Sequence, residues 1–341
     1  MHFMSDRAIK LGNPLETDYE TYVAQVRLKN ETLLQEARKV VCHLPWVEKL
    51  EDAARGDDLS ETRVHIATTG SDGRLEKKGD KTSPLEALVL VEKLGTIDGI
   101  TTEVRQRCTE TLEEFGFFGQ LEIKDLSRDK VSYCQSYTPP QAWPTIMVDA
   151  VALCEKNTDL LRQGREMLAQ EVGQGKSGVK IISATQNRLS EYRKITGTGK
   201  GSFKGNSVKH FDPETGTLFY DQTQEIKVGS VKYGPLRSVQ MFLAFRLLQF
   251  LRAHSHEPQL VHEFPTNTKE KIQSLLDHNA LKLTAQNAKE MDQLYSYFLW
   301  CFYLSEHSYS SKQETVVTVP DPQLFRENIQ SMMHLLQMRG Y

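Results

Sequence analysis

TTGSDGRLEKKGDKTSPLEALVLVE, residues 68–92, is the stretch on which the reading of this chain turns. VHIAT (64–68) leads into it, GSDGR (70–74) opens it, and EALVLVE (86–92) closes it with an acid at the mouth of an apolar run. Short apolar runs bounded by turn residues suit buried strands. A strand ending in Gly70-Ser71 lets backbone N–H groups point outward with no Cβ in the way, and the Ser71 hydroxyl adds a donor. Arg74 then has two roles open to it: forking onto a phosphate, or locking a nearby carboxylate. A plain tight turn is the competing reading of the same residues.

TIMVDAVAL (145–153) reads as a further strand, interrupted by Asp149. A carboxylate inside an apolar strand is costly unless it is paired or metal-bound. Glu86 and Asp149 on neighbouring strands, beside a turn of triphosphate size, would make a Mg²⁺ site. Hard oxygen ligands would bridge the ion to substrate phosphates.

Working outward, residues 15–55 show apolar positions at three- and four-residue spacing, the pattern of a helix, with Pro45 as an interruption. ITTEVRQRCTETLEEFG (100–116) has helical spacing, with Gly116 suited to a C-cap, and GQLEIKDL (119–126) reads as a strand. Two long helical segments (158–171 and 178–196) precede glycine-rich GTGKGSFKGN (197–206), expected as a flexible connection. Pro213 and Gly216 suggest a hairpin, and the remainder is mostly helical. The order strand, turn, strand, helix, strand, strand implies a mixed sheet without a strict βαβ repeat. The expected plan is a helical segment at 1–60, an α/β domain at 61–196, a connection at 197–237 and a helical domain at 238–341. The fold class is α+β.

Composition narrows the field. The 341 residues exceed one typical domain, and 39% hydrophobic with 26% charged is an ordinary globular balance. A net charge of −3 disfavours a general nucleic-acid coat. Five scattered cysteines without a CxxC pair are no disulfide framework, and reduced thiols in a cytoplasmic compartment are the expectation. No secretory signal and no run of apolar residues long enough to span a bilayer is present, so no membrane role is expected.

Several motifs are discounted. GQGKSG (173–178) has Gln170 where a P-loop needs its first glycine, and TGTGKGS has Gly201 in the Ser/Thr position. Both are expected as mobile, phosphate-friendly loops. His254, His256 and His262 do not form HExxH, and capping or surface roles suit them better. The aromatic run Tyr295–Tyr303 covers several faces of one helix, as a bundle core does.

The pattern Gly-Ser-x-Gly-Arg-x-Glu, then Ser-x-x-acid and an apolar strand, resembles the nucleotidyltransferase superfamily typified by DNA polymerase β. It is most similar to the branch of PII uridylyltransferase and glutamine-synthetase adenylyltransferase. EIKVGSVKYGPLRSVQMFLAFRLL (225–248) resembles the lysine- and glycine-rich motif that opens that branch's helical domain. The resemblance runs over residues 60–310 through short, degenerate motifs. It implies a mixed sheet of nucleotidyltransferase type and transfer of a nucleoside monophosphate from a nucleoside triphosphate to a protein or small-molecule acceptor. Gly70, Ser71, Gly73, Arg74 and Ser83 would hold the nucleotide, with Lys232 and Arg237 from the helical domain. Glu86 and Asp149 would be catalytic and hold Mg²⁺. Two departures stand out: Pro84 occupies the place of the first metal acid, and Ser238 that of the second motif's aspartate. The loop carrying Asp80 is longer than in the family. A catalytically inactive nucleotide-sensing or protein-binding module on the same fold is the alternative.

Overall fold

The computed structural model describes residues 11, 13–42, 44–57, 61–77, 86–93, 102–114, 121–125, 143–198, 202–203, 206–207, 225–227, 231–304 and 316–337. Its helices outweigh a small mixed sheet, an α+β composition. Two compact units divide the chain. The first holds Leu28–Ile181 and Phe250–Asn267; the second holds Ile9–Arg27, Ile182–Gln249 and Thr268–Tyr341.

The first unit is built on a four-stranded sheet of order β3-β2-β1-β4, from β1 (Thr62–Thr68), β2 (Ala87–Lys93), β3 (Leu121–Asp125) and β4 (Val151–Ala152). β1 pairs antiparallel with β2 and β4, whereas β2 and β3 run parallel. Parallel neighbours need a crossover, and α4 (Thr102–Glu114) lies between those two strands in the chain. Side chains alternate across a strand. Val64 and Ile66 of β1 and Ala87, Val89 and Val91 of β2 therefore share one face, in register as Val64↔Val91 and Ile66↔Val89. They join Leu50 and Ala54 of α2 (Leu44–Arg55), Val41 of α1 (Tyr19–Val41), and Cys108 and Leu112 of α4 in one core. Leu88 and Leu90, on the opposite face, are buried too, which is why β2 reads as a continuous apolar run. The helical pattern is interrupted ahead of Pro45, as expected: α1 ends at Val41 and α2 begins at Leu44, with Pro45 in its first turn, where proline's missing N–H is harmless.

One expected strand is corrected. The segment around Asp149 is helix α5 (Trp143–Val148), and only Val151–Ala152 is extended. Met147 and Val148 are buried, and a short buried apolar run has no period that separates strand from helix. Asp149 follows that helix in a turn, its N–H donating to the Thr145 carbonyl at 3.2 Å. α6 (Asp159–Gly173) and the start of α7 (Gly175–Thr198) complete this part of the chain.

The second unit is mainly helical: most of α8 (Arg237–Ala253), preceded by a kinked segment at Lys232–Leu236 in which Gly234 leaves helical geometry, then α9 (Thr268–Asp277), α10 (Ala285–Tyr303) and α11 (Pro322–Gln337). The aromatic run is bundle core as expected: Phe298 meets Phe325 edge-on at 5.3 Å, and Tyr297 meets Trp300 at 5.8 Å. Two small antiparallel ladders are also present, β5 (Ser202–Phe203) with β6 (Asn206–Ser207) and β7 (Glu225–Lys227) with β8 (Val316–Thr318). The expected hairpin at Pro213 and Gly216 and the C-cap at Gly116 lie outside the described residues.

Candidate functional site

β1 ends at Thr68, and GSDGR folds as a single helical turn, α3 (Gly70–Gly73). Glu76 N–H returns to the Ser71 carbonyl at 2.8 Å and Leu75 N–H to the Asp72 carbonyl at 3.1 Å. That pair of bonds is a Schellman closure, with Leu75 at φ 61° in the position that glycine usually takes. A left-handed leucine is unfavourable by itself. Here it is held: the Leu75 side chain packs on the strand core, and Asn30 donates to the carbonyls of Leu75 (3.1 Å) and Lys77 (2.7 Å).

The closure turns Arg74 inward. Only 4% exposed, it bonds Glu76 at 2.8 Å through Nε and Asp149 at 2.5 Å through Nη1. Asn267 donates to the Arg74 carbonyl at 2.9 Å. Of the two roles open to Arg74, the carboxylate lock is the one it takes, and its burial withdraws it from the triphosphate contact expected of it. Gly73 explains why the turn can lie on Asp149: a Cβ there would stand 1.9 Å from the Asp149 carbonyl oxygen. Arg165 adds a second cation beside Asp149, its guanidinium donating to the carbonyls of Ala150 (2.5 Å) and Met147 (3.4 Å).

Glu86 stands at the other side of the turn. Its backbone is clamped twice, the Thr68 hydroxyl donating to its carbonyl at 2.9 Å and its own N–H donating to Asp72 at 3.2 Å. Its carboxylate lies across Gly70, where a Cβ would meet Oε2 at 2.1 Å. Gly70 also has φ +65°, the left-handed region that favours glycine. Asp72 is buried, pairs with Lys77 at 3.1 Å, and has its carboxyl pushed up from the usual range, first by burial. Ser71, half-buried, belongs to the same turn.

Comparison with family models and with curated proteins finds no match for this chain. The site therefore rests on its own geometry.

In that geometry Asp149 carries a buried guanidinium on Oδ2, and among the described residues there is no group of three or more His, Cys, Asp or Glu side chains placed to hold a metal. The Asp149 carboxylate has its cation already. Ser83, Pro84 and Asp80 lie outside the described residues. Lys232 and Arg237 belong to the second unit. Lys232 lies 5.8 Å from the centre of the Tyr233 ring, and Arg237 donates to Gln240 at 2.9 Å, which in turn donates to the Tyr295 hydroxyl at 2.8 Å. Ser238 is fully buried and shares a 2.8 Å hydrogen bond with Thr196.

The other motifs resolve into structure. GQGKSG was expected as a mobile loop; its Gly175-Lys176-Ser177 is the first turn of α7, and the Ser177 hydroxyl donates to buried Glu171 at 2.8 Å. A carboxylate thus holds the place an anion would need. Gly199 and Lys200 lie outside the described residues. His254 bonds the Phe250 carbonyl at 2.9 Å near the end of α8, and His262 bonds Glu166 at 3.0 Å.

Residues that the sequence did not single out complete the site: Asp72, Glu76, Arg165, Asn30 and Asn267. Arg-x-Glu spacing offered a signal for Glu76. Asn30 and Asn267 had none, since each reaches the turn from a distant part of the chain.

Proposed function

We propose that the first unit is a nucleotidyltransferase-type module that binds a nucleoside triphosphate without transferring it. The observation that carries this reading is the commitment of Asp149 to Arg74. An acid that must receive Mg²⁺ in a transfer reaction is instead neutralised by the protein's own guanidinium, in a buried pair that is costly to open. Two sequence features agree with it: Pro84 cannot ligate through its side chain, and Ser238 supplies no charge. The start of the turn, with the Ser71 hydroxyl, would supply donors for phosphate oxygens, the Gly73 N–H being taken by the Thr69 carbonyl at 3.3 Å. The acceptor chemistry is replaced by a sensing or protein-binding role, in a cytoplasmic setting consistent with the free thiols of Cys42, Cys108, Cys154 and Cys301. Among the described residues no helix is long and apolar enough to cross a membrane.

A second reading, Mg²⁺-dependent nucleotidyl transfer to a protein or small-molecule acceptor, is favoured by one observation: Glu86 keeps a carboxylate at the turn. Incubation with a triphosphate labelled at the α-phosphate separates the two. The proposal expects nucleotide retained on a filter and no label transferred to the protein or to added acceptors. Label that survives denaturation, or passes to an acceptor, would replace it with the second reading.

A further inference from the structure

We propose that Cys42 and Cys154 are a redox-sensitive pair that closes to a disulfide when the chain meets a hydroperoxide. The course of α1 along the edge strand β4 carries the inference. Asn30 of α1 donates to the carbonyls of Leu75 and Lys77, beyond the end of β1. Farther along the helix, Arg38 donates through Nε to the Ala152 carbonyl at 3.0 Å, where β4 pairs with Ala67. Glu51 of α2 then accepts from Lys156 at 2.8 Å and from Asn157 at 3.1 Å, and Asn157 donates to the Val64 carbonyl at 2.9 Å. The segment from α1 to α2 thus follows residues 152–157 in the same direction, fastened at both ends. Cys42 and Cys154 lie between the two fastenings. Cys42 stands one turn beyond Arg38 on the same flank of α1, its N–H donating to the Arg38 carbonyl at 2.9 Å. Its neighbour Val41 shares one core with Leu153 and Cys154.

The two thiols differ as the members of a sensing pair do, one reachable and one resolving. Cys42 is exposed, whereas Cys154 is buried with its sulfur 3.4 Å from His65 Nδ1 and 3.5 Å from the Ile66 nitrogen. Burial above all pushes the Cys154 thiol up, and Cys42 is near enough to add to that rise. Cys42 therefore reacts first. As a thiolate it attacks the hydroperoxide: an S–O bond forms, the O–O bond breaks, and Cys42 sulfenic acid is left with water or an alcohol. The Cys154 sulfur then attacks the Cys42 sulfur. An S–S bond forms, the S–O bond breaks, and hydroxide leaves with the Cys154 proton as water. Two thiols are oxidised and one hydroperoxide is reduced. Closure draws the Cys154 sulfur away from His65 and ties α1 to the edge strand, and a thiol reductant reverses it. A transient bond of this kind suits a compartment that keeps thiols reduced at rest.

The test treats the pre-reduced full chain with a small excess of hydrogen peroxide, then counts thiols under denaturing conditions and maps peptides without reductant. The count should fall from five to three, the five cysteines less the two joined, and dithiothreitol should restore it. The mapped bridge should join the Cys42 and Cys154 peptides within one molecule. In Cys154→Ala, with folding checked by thermal melts, Cys42 should stop at the sulfenic acid and be trapped by dimedone. Cys42→Ser changes an exposed side chain and should leave Cys154 a thiol, which keeps the proposal open to refutation if Cys154→Ala does not fold. An unaltered thiol count would overturn the pair. So would a bridge from Cys42 to another cysteine or another molecule, or sulfinic acid at Cys42 while Cys154 stays reduced.

Discussion

Arg74 and Asp149 form a buried ion pair at 2.5 Å, with side chains only 4% and 9% exposed. One end of the pair belongs to the GSDGR turn and the other to the turn after α5, so the contact fastens the two together. Breaking a buried pair leaves one charge uncompensated, whereas replacing both partners with apolar groups can be neutral. Asp149→Asn should therefore cost about 3–5 kcal/mol in urea unfolding. The double change Arg74→Met with Asp149→Leu should cost less than the single one. A single-variant loss near zero would mean the pair does not hold the turn.

The two glycines of the turn should respond differently to alanine. At Gly73 a Cβ meets a backbone oxygen at 1.9 Å, so Asp149 itself must move, at a cost of roughly 2 kcal/mol or more. At Gly70 the obstacle is a side-chain carboxylate that can swing, and the left-handed backbone adds about 1–2 kcal/mol. Gly73→Ala should lower the melting temperature further than Gly70→Ala. The reverse order would contradict the packing of the turn on Asp149.

His65 links stability to pH. It sits at the centre of β1, fully buried, with Nδ1 3.0 Å from the Lys156 carbonyl and 3.4 Å from the Cys154 sulfur. Nε2 is buried without a hydrogen-bond partner. Burial, the largest influence, holds the imidazole below its usual 6.5, with the Lys156 carbonyl and Asp159 opposing. The neutral form thus belongs to the folded state, and the unfolded chain takes up the proton first. Its contribution is complete above about pH 6.5 and is lost as pH falls from there through the lowered folded value. The denaturation midpoint should drop across that window, and His65→Phe should flatten the drop. An unchanged slope in the variant would place the acid sensitivity elsewhere.

Much of this arrangement was legible in the residues. The buried strands announced themselves, β2 because both of its faces are apolar and β1 as a short run bounded by turn residues, and α10 by its aromatic C-terminal half, which is apolar on several faces. Gly70, Arg74, Glu86 and Asp149 stood out by type and setting, and the structure gathers Arg74 and Asp149 into one contact. The secondary structure at Asp149 was not legible, since TIMV is too short for its period to separate helix from strand. Nor was the direction of Arg74: the Schellman closure that turns it inward needs a left-handed Leu75, which no side-chain preference advertises. Asn30 and Asn267 depend on distant chain segments meeting, which a local pattern does not contain.

Ser238 tests whether the second unit has abandoned an acidic position. Fully buried against Thr196, it should tolerate alanine at about 1 kcal/mol, the worth of one hydrogen bond. Ser238→Asp, which restores the acid of the resembled family, should cost several kcal/mol by burying an unpaired charge. Thermal scanning of both variants checks the order. An aspartate as stable as alanine would show a cation within reach and reopen the position to an acidic role.

The central claim is that the site handles a triphosphate without a protein-bound metal, because Asp149 is already paired. Calorimetric titration of ATP into the full chain, once with excess Mg²⁺ and once with EDTA, tests it most directly. Saturable binding that persists in EDTA within a few-fold of the Mg²⁺ affinity is the expected result. Binding that appears only with Mg²⁺ would mean that Asp149 leaves Arg74 for the ion, and would contradict the account.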